Sequence, residues 1–442
     1  MNSQKIKTCL FRGFYSSVLL LPIFLLYSCS TMEIQQREVK QEDIIELEDH
    51  VKNDSLDADA IKQLSILLVQ AHQNKKANYY LAKALQSLPD DNALLFYRGL
   101  NYEFLNDTLN AINYYSKYKE ASLFSPYRKL MEGRYQLLNR DLVYKDIKNL
   151  ISGEKSFRIK NISSNSLAVF PLTYHGADNK YEPLSRGLSE MISMDLGKVK
   201  KLTVLERIRL NAVMDELKLS KTSLVDQKSA PRMGKLLSAR LLFSGSLDIT
   251  NDDNLKMEVN SWDMEKNKMG DWLNKSGQLE DIFLVEKELV FDIIDQLGIN
   301  LTKEERENIE YIPTKDFNAF LEYSKGLEAE DNGQYEAAAS FYQNAVNIDP
   351  DFKEASTKNE MSLDISNVVG NSEEVLGVTQ ELTASDNALS GSNIDVTQSR
   401  LDMLGSEITS SFNQGLETRE APQEAASTGI EDLPLPPPPP GK

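Results

Sequence analysis

The residue with the most specific chemistry in this sequence is Cys29. It ends Leu26-Tyr-Ser-Cys29, behind an amino-terminal segment (residues 1–28) in which Lys5, Lys7 and Arg12 precede a largely apolar run from Phe14 to Tyr27. Such a segment reads as an export signal, too short to span a bilayer comfortably. A Leu three positions before a Cys, with a small residue immediately before it, is the bacterial lipoprotein pattern, in which the thiol is acylated and the Cys becomes the new amino terminus. Tyr27 is bulkier than the usual occupant of its position. Cys9 leaves with the signal, so the mature chain keeps one thiol, which has no internal disulfide partner and needs none when it carries lipid. Each buried methylene of an acyl chain contributes about 0.8 kcal/mol, so several chains together hold a protein on a membrane stably. Ser30 stands where some bacteria place the Asp of inner-membrane retention, which favours the outer membrane, on its periplasmic side or at the cell surface.

Other reactive residue types are scattered. His50, His72 and His175 lie far apart, and none has a partner at metal-ligand spacing. His175 ends a strand in Thr173-Tyr-His-Gly176, where α/β sheets often bind ligands, and is read as capping that strand. Glu206 and Arg207 follow a second strand and are read as an ion pair holding the turn. A phosphate loop, a nucleophile elbow and a zinc-protease helix are missing, and no carboxylate spacing marks a catalytic pair. The expectation is a non-enzyme without metal or cofactor. A formal charge of -18 over 442 residues, with no basic stripe, argues against nucleic acid or anionic lipid as a partner.

The elements that carry these residues are centred on 166–300. Ser166 to Leu172 reads as a buried strand, Leu184 to Val199 as a helix with one apolar face, and Leu202 to Leu205 as a second strand, which makes a right-handed βαβ unit. Helices follow near Ile208 to Leu217 and Pro231 to Ser238. Strands follow at Arg240 to Thr250, Leu255 to Trp262 and Asp271 to Gln278, and a helix from Ile282 closes at Gly298. Leu167-Ala-Val-Phe-Pro-Leu172, Ser185-Arg-Gly-Leu-Ser-Glu-Met191, Val204-Leu-Glu-Arg-Ile-Arg-Leu210, Met214 to Leu219 and Gly234 to Ser246 resemble, in order, the blocks of the curli production assembly component (CsgG) family. The resemblance covers about 130 residues. It implies a soluble α/β domain, similar also to the amino-terminal domain of TolB and to lipoproteins that activate peptidoglycan synthases. Secretion channels of that family are said to insert two β-hairpins, whose strands each need roughly 9–11 residues to span a membrane. Here only Asn251 to Asn254 and Gly277 to Glu280 stand at those places, so a pore is not expected.

Around this domain the sequence suggests repeats. Residues 58–91 align with 92–125 at a period of about 34, as in tetratricopeptide repeats, with Ala77 over Ala111 and Ser65 over Gly99. A third unit, 319–352, places Gly326, Ala338, Tyr342, Ala345 and Pro350 at the positions where small residues let paired helices approach. Tyr127 to Leu150 is read as a helix capping the first pair (helical domain 58–150), and the third unit as packing on another surface or on a partner chain. Residues 29–57 are read as a tether or short solvated helix. Residues 353–442, poor in aromatics and ending in Pro436 to Pro440, are read as a disordered tail. The fold class expected is α+β multidomain: a CsgG-like sheet domain flanked by helical repeats. The functional expectation is a membrane-anchored scaffold that binds envelope or secreted proteins and self-associates. A regulator of a peptidoglycan synthase and a curli-type secretion channel are the alternatives.

Overall fold

The computed structural model of the protein describes residues 39–122, 125–153, 163–176, 178–217 and 230–379. Cys29, the signal segment and the Pro-rich end lie outside them.

The amino-terminal part is helical: α1 (Gln41–Asn53), α2 (Ala58–Gln70), α3 (Asn74–Ser87), α4 (Asn92–Phe104), α5 (Thr108–Tyr115) and α6 (Pro126–Ser152). The repeat shows physically in its caps. Asp57 accepts the Ala60 amide to open α2, and Asp91 accepts the Leu94 amide to open α4, each satisfying a backbone donor that the first helical turn leaves free. Of the tether or short solvated helix expected before residue 58, the helix is present and its solvation is corrected. Helix α1 buries Ile44 and Val51 in the same core as Leu64, Leu68, Leu81 and Phe96, so residues 41–53 are part of the helical domain.

The α/β part has a seven-stranded sheet. Its strands are β1 (Ser166–Val169), β2 (Thr173–Tyr174), β3 (Thr203–Val204), β4 (Leu241–Ile249), β5 (Asn254–Asp263), β6 (Lys268–Met269) and β7 (Leu273–Gln278). The order is β3-β1-β4-β5-β6, with β2 beside β4 and β7 beside β5. β1 pairs in parallel with both β3 and β4, as a βαβ unit requires, while β4–β5 and β5–β7 are antiparallel. Period-two alternation splits β1 between two cores: Leu167 and Val169 face helices α7 (Leu184–Gly197) and α10 (Ile282–Gln296), whereas Ala168 and Phe170 face α8 (Arg207–Glu216) and α9 (Ala230–Leu237). Both hairpin positions are closed. β4 turns into β5 with the Asp253 amide donating to the Thr250 carbonyl (3.1 Å) and with Asp253 at φ 55, and the Leu279 amide donates to the Asp253 carbonyl (2.8 Å) as β7 runs towards α10.

After α11 (Lys303–Glu310), which opens on a Thr302/Glu305 capping box, come α12 (Phe317–Asp331), α13 (Tyr335–Ile348) and α14 (Lys353–Ser366). The third repeat packs on its own chain: α12 lies on α7, and α14 lies on α6. Phe320, Tyr323, Ala338 and Tyr342 share one core with α7, α10 and the sheet. Helix α6 is the strut. Tyr127, Leu130, Met131 and Tyr135 belong to the amino-terminal core, while Ile147 belongs to the core under the sheet. The tail expected from residue 353 is corrected as well. Helix α14 buries Ala355 and Ile365, and residues 372–379 are again helical, with Val375 and Leu376 in the amino-terminal core. A few apolar residues sufficed there because the amino-terminal core receives them.

Candidate functional site

The second and third repeats carry the same polar node, which the first, with Val69 and Leu81 at the equivalent positions, does not. In the second repeat, a Cβ on Gly99 would come within 2.5 Å of the Tyr115 ring, and the Tyr115 hydroxyl donates to Glu103 Oε1 at 2.7 Å. In the third, a Cβ on Gly326 would come within 2.5 Å of the Tyr342 ring, and the Tyr342 hydroxyl donates to Glu330 Oε2 at 2.7 Å. The small residue lets the second helix of the pair lie close enough for its Tyr to reach the carboxylate on the first. Ala77, Ala111, Ala338 and Ala345 are all fully buried at these helix contacts. Pro350 follows the end of α13, where it faces no such contact, and Asp349 beside it accepts the Thr314 hydroxyl.

Each node then recruits an arginine from elsewhere. Glu103 pairs with buried Arg134 of α6. Glu330 pairs with Arg207 at 2.7 Å and with Lys358 at 3.0 Å. Arg207 also reaches Asp331 (2.7 Å), Glu190 (3.5 Å) and the Leu327 carbonyl (3.1 Å), and Arg186 reaches Asp331 at 2.6 Å. Although burial opposes it, the neighbouring Lys358 and Arg207 charges hold the Glu330 carboxyl down to about 2. Gly187 completes the clamp, because a Cβ there would overlap the Ser324 hydroxyl. The Glu206–Arg207 ion pair expected from sequence is therefore replaced: Arg207 points across to α12. Glu206 is raised by burial, with only Arg209 acting against it.

Between α7, α8 and the carboxyl ends of β1 and β3 lies a cavity of about 190 Å³, lined by Arg186, Ser189, Glu190, Ser193, Glu206 and Arg207 among others. It is smaller than the roughly 300–1,000 Å³ clefts that take drug-sized ligands, and its two guanidinium groups are held by carboxylates. The geometry makes a clamp between the sheet domain and the third repeat. His175 sits exposed after β2, its amide donating to the Leu247 carbonyl. His50 lies 2.9 Å from Asp57, and His72 3.5 Å from Glu373. Among the described residues no group of three or more His, Cys, Asp and Glu is arranged to hold a metal.

A second buried cluster lies between α7 and α10. Asp195 takes Lys287 and Lys198, and Glu286, fully buried, stands 3.6 Å from Lys287. Burial, and then the Asp195 charge, push Glu286 well above the usual carboxylate range. The folded chain thus keeps a proton that the unfolded chain releases at about pH 4.3, and stability falls as pH rises from there through the folded value. Glu286→Gln is expected to raise the Tm at pH 7.5 and to leave it unchanged at pH 4. A lower Tm at pH 7.5 would mean an ionised Glu286 supporting Lys287.

Two solved structures show low likeness. The LpoB C-terminal domain from Salmonella enterica is 14% identical, with 30% of this chain and 95% of that chain covered at a TM-score of 0.21. A tetratricopeptide repeat protein from Parabacteroides merdae is 13% identical, with 72% and 91% covered at a TM-score of 0.21. No curated protein is a significant match. Residues 144–257, from the end of α6 through the clamp arginines to β5, match the family model of the curli production assembly/transport component CsgG. The likeness to that family therefore covers the α/β part over residues 144–257, and helical pairs precede and follow it in the chain.

Proposed function

We propose that this protein is a lipoprotein scaffold held on the periplasmic side of the outer membrane by acylated Cys29. Its repeats and CsgG-family domain bind protein partners in the assembly or export of a cell-envelope or extracellular polymer. It forms no pore and catalyses no reaction. The observation that carries this reading is the closure of both hairpin positions, where β4 turns directly into β5 and β7 runs directly into α10. A domain clamped to a repeat through Arg186 and Arg207 suits the rigid presentation of a binding surface.

The test has two arms. Cys29→Ala is expected to move the protein from the membrane fraction to the soluble fraction. The purified wild-type protein is expected to leave planar bilayers non-conducting. Membrane retention of Cys29→Ala would overturn the anchor, and stable unitary conductance or particles with a membrane collar would overturn the scaffold.

A further inference from the structure

After α14 the chain returns to the amino-terminal repeats. Gly370, at φ 127, makes the bend. Arg134 of α6 donates from Nη1 to the carbonyls of Val368 (2.9 Å) and Gly370 (3.0 Å). The Ser372 hydroxyl lies 3.3 Å from Glu103 Oε2 at the end of α4, and Glu373 lies 3.5 Å from His72 at the end of α2. Val368, Val375 and Leu376 are buried among the side chains of the amino-terminal core.

We propose that residues 368–379 are a removable strap, the resident occupant of a peptide-binding groove across α2, α4 and α6. The external ligand of that groove is a short helical segment of a partner protein with the same chemistry: a Ser-Glu start followed within a turn by two adjacent apolar side chains. The inference rests on the scaffold reading and names the kind of segment the repeats grip.

Three observations make the strap removable. Its apolar anchoring is small, since the burial of Val368, Val375 and Leu376, with Val378 partly buried beside them, is largely offset by the ordering of a dozen residues. Its carboxylate tie is exposed, with His72 and Glu373 each about half open to solvent, and such pairs hold little. Its departure leaves no buried charge alone, because Arg134 keeps Glu103 and Glu103 keeps the Tyr115 hydroxyl. The matching node of the third repeat takes its arginine, Arg207, from the sheet domain instead.

The experiment uses the full chain and a fluorescent peptide of residues 366–379, read by anisotropy. Val375→Asp with Leu376→Asp releases the strap. The released variant is expected to lose no more helical signal than residues 372–379 contribute and to bind the peptide about tenfold or more tighter than wild type, whose groove is filled. A peptide carrying the same two substitutions is expected not to bind. Equal binding by the two proteins, or binding by neither, would overturn the proposal. So would a loss of helical signal larger than residues 372–379 account for, because the strap would then be fixed core. The assay reads the groove alone, so its failure leaves the anchor and the absence of conductance to be judged separately.

Discussion

Arg207→Met is expected to cost about 3–5 kcal/mol at pH 7, the range for removing one partner from a buried ion-pair network. Glu330 and Asp331 are mostly shielded from solvent, their side chains 19% and 6% exposed, and Arg207 reaches each at 2.7 Å. Arg186 and Lys358 remain after the substitution against Glu330, Asp331 and Glu190, which leaves one negative charge in excess. The pH dependence identifies the cause. Glu330 is held down to about 2 in the folded chain, so it stabilises the fold above about pH 4.3, and that contribution is lost as pH falls towards 2. In the variant this support is missing, so the deficit against wild type is largest at neutral pH and shrinks as the carboxylates protonate. Urea denaturation at pH 7 and pH 4 measures both. A deficit under about 1 kcal/mol, typical of an exposed pair, would remove Arg207 from its role as the clamp.

The second large effect is at the crossing of α6 and α14. A Cβ on Gly133 would overlap the Asp364 carbonyl oxygen and crowd the Val368 side chain. Gly133→Leu therefore has to push α14 away, and overpacking of this kind costs about 1–3 kcal/mol. The loss should be local. Amide exchange is expected to speed up in α14 and in residues 368–379, while β4 and β5 stay protected. Burial raises Asp364 to about 7, with Glu132 and Glu360 adding to it and Lys129 and Arg128 opposing. A raised carboxyl weakens the junction as pH climbs from about 4 through 7, so the opening free energy of α14 should fall over that interval in wild type and variant alike. Uniform protection in the variant would mean that α14 tolerates the displacement.

Both predictions concern contacts that the sequence shows only in part. The α/β elements were legible because each carries its own signal: two-fold alternation in β4 and β5, a three-and-four spacing in α7 and α10, and apolar runs at β1 and β3. The small residues Gly99 and Gly326 were legible from the repeat period. The carboxylates beside them were not singled out, although Glu103 and Glu330 stand twelve residues before Tyr115 and Tyr342 in both copies. Comparing the copies for polar as well as small residues would have exposed that node. Arg207 was misassigned to its chain neighbour because proximity in sequence outweighed a partner more than a hundred residues away. Residues 353–379 failed for a related reason. Their composition is too polar to form a core alone, and they are ordered by apolar surface supplied by α6 and the first repeats, which no local window contains.

The strap also fixes an order of events during synthesis. Ser372 and Glu103, which meet in the finished molecule, are 269 residues apart in the chain. At about 5–20 residues per second, a ribosome takes roughly 15–50 s to make the second after the first. Helices pair within microseconds to milliseconds where contacts are local, so the amino-terminal repeats are ready to fold long before their cover exists. Until then the amino-terminal core lacks the side chains of Val368, Val375 and Leu376 that complete it.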